Sequence, residues 1–182
     1  GAVAINPSLY PKLSYKPTTD LVPVSLVVNN VEMLVVSPKA SYKNGADFIE
    51  AAKKSKDKPL TMASSGTGSV PHLAAIQVNE SAGVNLLHVP YKGAAPAIAD
   101  VMAGHVDGFF GDIPGLVGGI DGGKLKPIGI AASKRNARYL TSPRSMNWAS
   151  RAWIPTTGTP CSPPRAPHQK SQPSSARPST SP

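Results

Sequence analysis

The stretch LTMASSGTGSVPHLAAIQVNESA, Leu60 to Ala82, places a strand, a turn and a helix in immediate succession. Leu60 to Ala63 is an apolar run of strand length, and Ser64-Ser65-Gly66-Thr67-Gly68-Ser69 is a turn of small residues. From Val70 the pattern becomes helical, with Leu73, Ile76 and Ala82 at helical spacing. Pro71 suits the first helical turn, where a missing N–H costs nothing, and Ser69 is a natural N-cap. A strand feeding a helix through a Gly-containing turn is half of a βαβ unit.

The same rhythm continues on both sides. Upstream, Val24 to Val28 and Met33 to Val36 read as strands, Pro38 stops the second, and Gly45 to Lys54 reads as a helix with Phe48, Ile49 and Ala52 on one side. Downstream, Val84 to Val89 reads as a strand, Pro90-Tyr91-Lys92-Gly93 as a loop, and Ala95 to Ala103 as a helix capped by Gly104. Val106 to Phe110 is the next strand. Gly111 to Gly115 then turns into a Gly-rich helix that ends at Gly122-Gly123, and Leu125 to Ala132 is the last strand. The expectation is an α/β lobe with an open, mainly parallel sheet flanked by helices. In such sheets ligands lie beyond the C-terminal strand ends, where the turns at Ser64 to Ser69 and Tyr91 to Gly93 fall.

Composition narrows the function classes. The chain has 182 residues and a formal net charge of +9, but its charge is unevenly placed. Every carboxylate lies at or before Asp121, and the segment from Thr141 holds nine Pro, nine Ser and five Thr beside five Lys and Arg. A segment of that composition is expected to be disordered. Its scattered charges, with only Trp148 and Trp153 among them, do not make a nucleic-acid surface. The single cysteine, Cys161, allows no internal disulfide. No run approaches the roughly 20 apolar residues of a membrane helix, and the start at Gly1 lacks a signal-peptide core.

Several constellations bear on chemistry. The turn Ser64 to Ser69 suits an anion, because its glycines let backbone N–H groups converge at the positive end of a helix. The same residues suit an ordinary βα turn with a cap, and composition does not separate the two. The partial match of Gly66 to Pro71 to a dinucleotide fingerprint lacks the third glycine and the later acidic residue. Lys92 either adds positive charge to the pocket or is solvated. Asp107 and Asp112 flank a strand end, where caps and turn stabilisers are the ordinary roles of aspartate. His72, His88 and His105 match no zinc spacing, so no metal or cofactor is expected. No serine lies in a Gly-x-Ser-x-Gly context and no triad pattern is visible, so no enzyme is expected. The remaining enzymatic alternative is phosphate or nucleotide handling on the Gly-rich turn.

The strings Ala4-Ile5-Asn6-Pro7 with Leu9-Tyr10, Pro23-Val24-Ser25-Leu26, Ala63 to Ser69 with His72-Leu73-Ala74, and His88-Val89-Pro90-Tyr91-Lys92-Gly93 occur in a familiar order. Together with Ala103-Gly104-His105-Val106-Asp107 and Gly123-Lys124-Leu125-Lys126-Pro127, they resemble the Bug (TctC-type) receptors of tripartite tricarboxylate transporters over about residues 1 to 140. The resemblance implies a monomeric periplasmic Venus-flytrap protein. It would close on a small di- or tricarboxylate or an amino acid and deliver it to membrane permease subunits. It assigns Ser64, Ser65, Gly66, Thr67, Gly68, Ser69, Tyr91, Lys92 and Gly93 to the second lobe's share of the pocket, with Asp112 near its mouth.

The resemblance also sets the expected organisation. Residues 1–30 would be a remnant of the first lobe, 31–132 the second lobe, 133–140 a crossover remnant and 141–182 the tail. The first lobe's Gly-rich anion loop and the signal peptide are expected upstream of Gly1, and Thr141 to Pro182 is expected to be a frameshifted reading of family sequence. A chain holding half of the clamp is expected to bind weakly or not at all.

Overall fold

The computed structural model describes residues 2–25, 27 and 30–131, together with the backbone of 146–147. Two short helices, α1 (Ala2–Leu9) and α2 (Pro17–Asp20), precede an alternation of strands and helices. These are β1 (Glu32–Val36), α3 (Gly45–Lys54), β2 (Thr61–Ser64), α4 (Val70–Ala82), β3 (Leu87–Pro90), α5 (Ala94–Ala103), β4 (Gly108–Asp112), α6 (Ile113–Asp121), β5 (Lys126–Ile130) and β6 (Met146–Asn147). The strands form one open sheet in the order β3-β2-β4-β1-β5-β6. β2 is parallel to β3 and β4, and β5 is parallel to β6, whereas β1 is antiparallel to both its neighbours. Five strands therefore share one direction and β1 alone is reversed. This is an open, mainly parallel α/β sheet with helices packed on both faces.

Side-chain alternation along β1 explains its central place. Leu34 and Val36 face one core with Phe48 and Ile49 of α3, Ala74, Ala75 and Val78 of α4, and Met62, Phe110 and Ile128. Met33 and Val35 face the other, with Ala97 and Val101 of α5, Leu116 of α6, Ala63, Phe109 and Ile130. A strand buried on both faces needs apolar residues at successive positions, and burying each large side chain contributes about 1.5–3 kcal/mol.

Helix termini fall where sequence chemistry puts them. Asn44 caps α3, its Oδ1 accepting from Ala46 N at 2.9 Å and Asp47 N at 3.1 Å. Ser69 caps α4 through His72 N at 3.4 Å, and Gly83 ends α4 in the left-handed conformation at φ +62°.

Four local readings differ from the sequence expectation. Val24, Ser25 and Val27 form no strand, and Val24 and Val27 stand 96% and 92% exposed; a strand needs a ladder partner, and the described sheet offers them none. Leu26 and Val28 lie outside the described residues. The third strand begins at Leu87 rather than Val84, because Asn79 holds the intervening loop, accepting from Leu86 N at 2.8 Å. Gly111 and Asp112 belong to β4, and α6 follows with no intervening turn. On α4 the buried side is Pro71, Ala74, Ala75 and Val78, while Leu73 and Ile76 are exposed. The strand β6 lies within the segment expected to be disordered, the remainder of which lies outside the described residues.

Candidate functional site

Because β2, β3 and β4 run in one direction, their C-terminal ends lie at one edge of the sheet, and each is followed by a helix that starts there. The N-termini of α4, α5 and α6 thus gather on that edge. A cavity of about 700 Å³ lies there, lined by Ser65 to Pro71 at the start of α4, Ala94 at the start of α5, and Gly111 and Asp112 before α6. Ile5, Asn6, Leu9 and Tyr10 of α1 and the segment after it line another side, and Asn30, Glu32 and Phe109 complete it.

The turn itself is tightly wired. Ser64 is fully buried, and its Oγ lies 3.1 Å from both Gly66 O and Gly66 N, donating to the first and accepting from the second. Ser69 N donates to Gly66 O at 3.2 Å, and Gly68 N donates to His72 Nδ1 at 3.0 Å. Gly66 and Gly68 have φ of +132° and +77°, values that favour glycine. A Cβ on Gly68 would also collide with Leu9 Cδ1.

This wiring decides which of the turn's N–H groups are left to face the cavity. Both glycine N–H groups are consumed inside the turn. Those of Ser65, Thr67 and Val70, three residues lining the cavity, make no hydrogen bond within the chain among the described residues. The glycines shape the turn, and their neighbours carry its free donors.

The remaining expected site residues divide. Asp112 lines the cavity at the N-cap position of α6 but makes no capping hydrogen bond with its side chain. Ser64 is buried behind the turn. Tyr91 extends the ladder, its N donating to Ser64 O at 3.0 Å, but its hydroxyl donates to Asp100 Oδ2 at 2.6 Å. That hydrogen bond, ahead of burial, pushes the phenol up to about 12. Lys92 is exposed, and Gly93 caps α5 at φ +107°. Tyr91, Lys92 and Gly93 do not line the cavity.

Sequence reading missed two features of this end of the sheet. Glu32 stands opposite Asp112 in the β1–β4 register and lines the cavity. Its Oε2 is buried without a hydrogen-bond partner among the described residues. Burial first, then the neighbouring Asp112 charge, pushes its carboxyl up to about 7. The only sequence signal was an acid at the head of an apolar strand. The second feature is a stack of His72 on His88, ring centroids 3.8 Å apart, with His88 Nε2 2.6 Å from Ser64 Oγ. Sixteen positions and a change of element separate the two rings in sequence, so no local pattern reveals them.

The Ser64–His88 contact does not make a nucleophile. Ser64 is fully buried and outside the cavity lining, and no carboxylate hydrogen-bonds His88 among the described residues. The described residues also contain no group of three or more side chains arranged to hold a metal ion.

Residues 1–163 match the family described as the tripartite tricarboxylate transporter family receptor, TctC. The chain belongs to that family. The match extends beyond the residues on which the sequence resemblance rested. Among curated relatives of TctC type, BugT of Bordetella pertussis is 32% identical over 143 residues, 78% of this chain and 43% of that protein. A protein from the tcbD-tcbE intergenic region of a Pseudomonas species is 31% identical over 78% of this chain and 42% of its own length. The periplasmic binding protein BugD is 33% identical, with a TM-score of 0.66 over 74% of this chain and 44% of BugD. MatC from Rhodopseudomonas palustris, solved with bound malate, is 29% identical with a TM-score of 0.66 over 82% of this chain and 48% of MatC. The chain thus spans less than half the length of these relatives. The TctC family is one of solute-binding receptors rather than enzymes, and the solved relative BugD is a periplasmic binding protein.

Proposed function

We propose that this chain forms one wall of a carboxylate-binding cleft in a periplasmic receptor that passes its ligand to the membrane permease subunits of a tripartite tricarboxylate transporter. The observation that carries the reading is the gathering of three helix N-termini around one cavity, with the N–H groups of Ser65, Thr67 and Val70 unspent. Helix N-termini favour anions through partial positive charge and unpaired donors. Solved relatives described with malate and with adipate support a small dicarboxylate; a tricarboxylate or an amino acid belongs to the same class. Within the proposed cleft the turn Ser64 to Ser69 and Asp112 lie at the ligand, and Tyr91 to Gly93 support the start of α5. Residues 31–132 are the second lobe, and the receptor acts as a monomer.

Affinity of the isolated chain follows from the same geometry. One helix end contributes about 0.3–1 kcal/mol towards an exposed anion, so three ends sum to about 1–3 kcal/mol. Micromolar binding needs about 8 kcal/mol. The isolated chain therefore binds at millimolar concentration or more weakly, and tight capture requires the opposing lobe. Amide resonances of the ¹⁵N-labelled chain, followed during titration with malate, adipate, citrate and aspartate to high millimolar concentration, test the reading. Shifts centred on Ser65 to Val70 and Asp112 are expected. Shifts centred elsewhere, or none with any ligand, would overturn it.

A further inference from the structure

We infer that His72 is a positioning residue for the turn Ser64 to Ser69, with His88 as its support, and that the turn holds its shape only while His72 Nδ1 is unprotonated. A backbone N–H can only donate, so Gly68 N at 3.0 Å from His72 Nδ1 requires a lone pair on that nitrogen. Protonation at Nδ1 turns the acceptor into a second donor and ejects Gly68 from the contact. Gly68 stands between Thr67 and Ser69, so its release disturbs the segment that carries the free N–H groups.

The neighbouring ring makes this sensitive to charge. His88 stacks on His72 with an angle of 22° between the rings, and two adjacent imidazolium ions repel. Burial first, then His72, holds the His88 imidazole below its ordinary range, so the stack favours a neutral His88. The facing groups are few. From α4 comes His72, from β3 His88, from β2 the Ser64 hydroxyl, and from the turn the Gly68 N–H. Among the described residues no carboxylate and no cation of Lys or Arg hydrogen-bonds either ring or pairs with it. The Ser64 hydroxyl can donate to Gly66 O or to His88 Nε2 and accept as well, so it tolerates either state of His88. The single contact that cannot survive protonation is Gly68 to His72.

The consequence for ligand capture rests on the proposed function, but the positioning role does not, and the experiment keeps them apart. In the full chain, the imidazole Cε1–H resonances and the Gly68 amide are followed from pH 8 to pH 5, with Gly68 exchange corrected for its intrinsic pH dependence. Protection of Gly68 is expected to fall at least tenfold as the imidazole pair takes up its first proton. In His72→Asn the side-chain oxygen still accepts but does not titrate, so Gly68 stays protected and its pH dependence disappears. In His88→Gln a single imidazole of the pair remains, and Gly68 protection is expected to follow the His72 Cε1–H resonance alone. A Gly68 amide indifferent to imidazole protonation would overturn the proposal, as would His72→Asn following the wild-type profile or, in His88→Gln, a Gly68 amide that does not follow His72. Failure of malate to perturb the turn at pH 7.5, with the His72–Gly68 coupling intact, would instead remove the carboxylate reading.

Discussion

Replacing Glu32 by Gln should make the fold more stable at neutral and alkaline pH and leave it nearly unchanged in acid. Glu32 begins β1 beside Asp112, and its carboxyl is pushed from 4.5 to about 7 chiefly by burial. A carboxylate raised in the folded state holds its proton more tightly there than in the unfolded chain. Its stabilising effect is complete below about pH 4.5, the unfolded value, and is lost as pH rises through about 7. A shift of this size corresponds to about 3 kcal/mol at full weight. Glu32 is only partly buried, and solvent screening reduces the contribution to about 1–2 kcal/mol. Urea unfolding of wild type and Glu32→Gln at pH 4.5, 6, 7 and 8.5 measures it. The difference between the two should open from near zero to about 1–2 kcal/mol in favour of Gln across that range. Comparing the two proteins cancels the opposite contribution of His88, whose lowered imidazole pKa stabilises above about 6.5 and loses that contribution as pH falls below it. Parallel profiles for the two proteins would refute the buried, unpaired state of Glu32.

Two further substitutions test the scaffold. Asn44→Ala removes the buried cap of α3 and should cost about 1–2 kcal/mol, read as a lower urea midpoint at unchanged slope. Asp107→Ala removes the acceptor of Thr61 N and Thr61 Oγ1, both at 2.8 Å, and of the Tyr42 hydroxyl at 3.3 Å. That should cost about 1–3 kcal/mol in thermal or urea unfolding while leaving the amide shifts of Ser65 to Val70 in place, because Asp107 and Thr61 lie at the other end of β2 and β4.

What was legible in the sequence follows the range of the interactions involved. Helix α4 was read to its exact residues because its start and stop are local: Ser69, Pro71 and the composition of the turn act within a few positions. The strand ends were less legible. Whether residues 84–86 join β3 depends on Asn79 folding back on Leu86, and whether Gly111 is a turn or a strand depends on pairing with Met33 across the sheet. The reversal of β1 likewise leaves no mark on its own residues, since a doubly buried strand is apolar in either direction.

The site shows the same division more sharply. The turn was found because small residues between a strand and a helix are a local signal, and the conclusion that it suits an anion needed only the direction of α4. Which N–H groups remain to meet the anion was not readable, because that depends on Ser64 and His72 reaching back to occupy Gly66 and Gly68. Glu32 and Asp112 come together only through strand register, eighty positions apart in the sequence. The consequence is specific to this cavity: its donors come from backbone beside α4, and its acid comes from β1 and β4. A ligand that places a carboxylate at the first and a hydrogen-bond donor at the second would satisfy both walls, whereas one that places carboxylates at both must meet Glu32 in its protonated form.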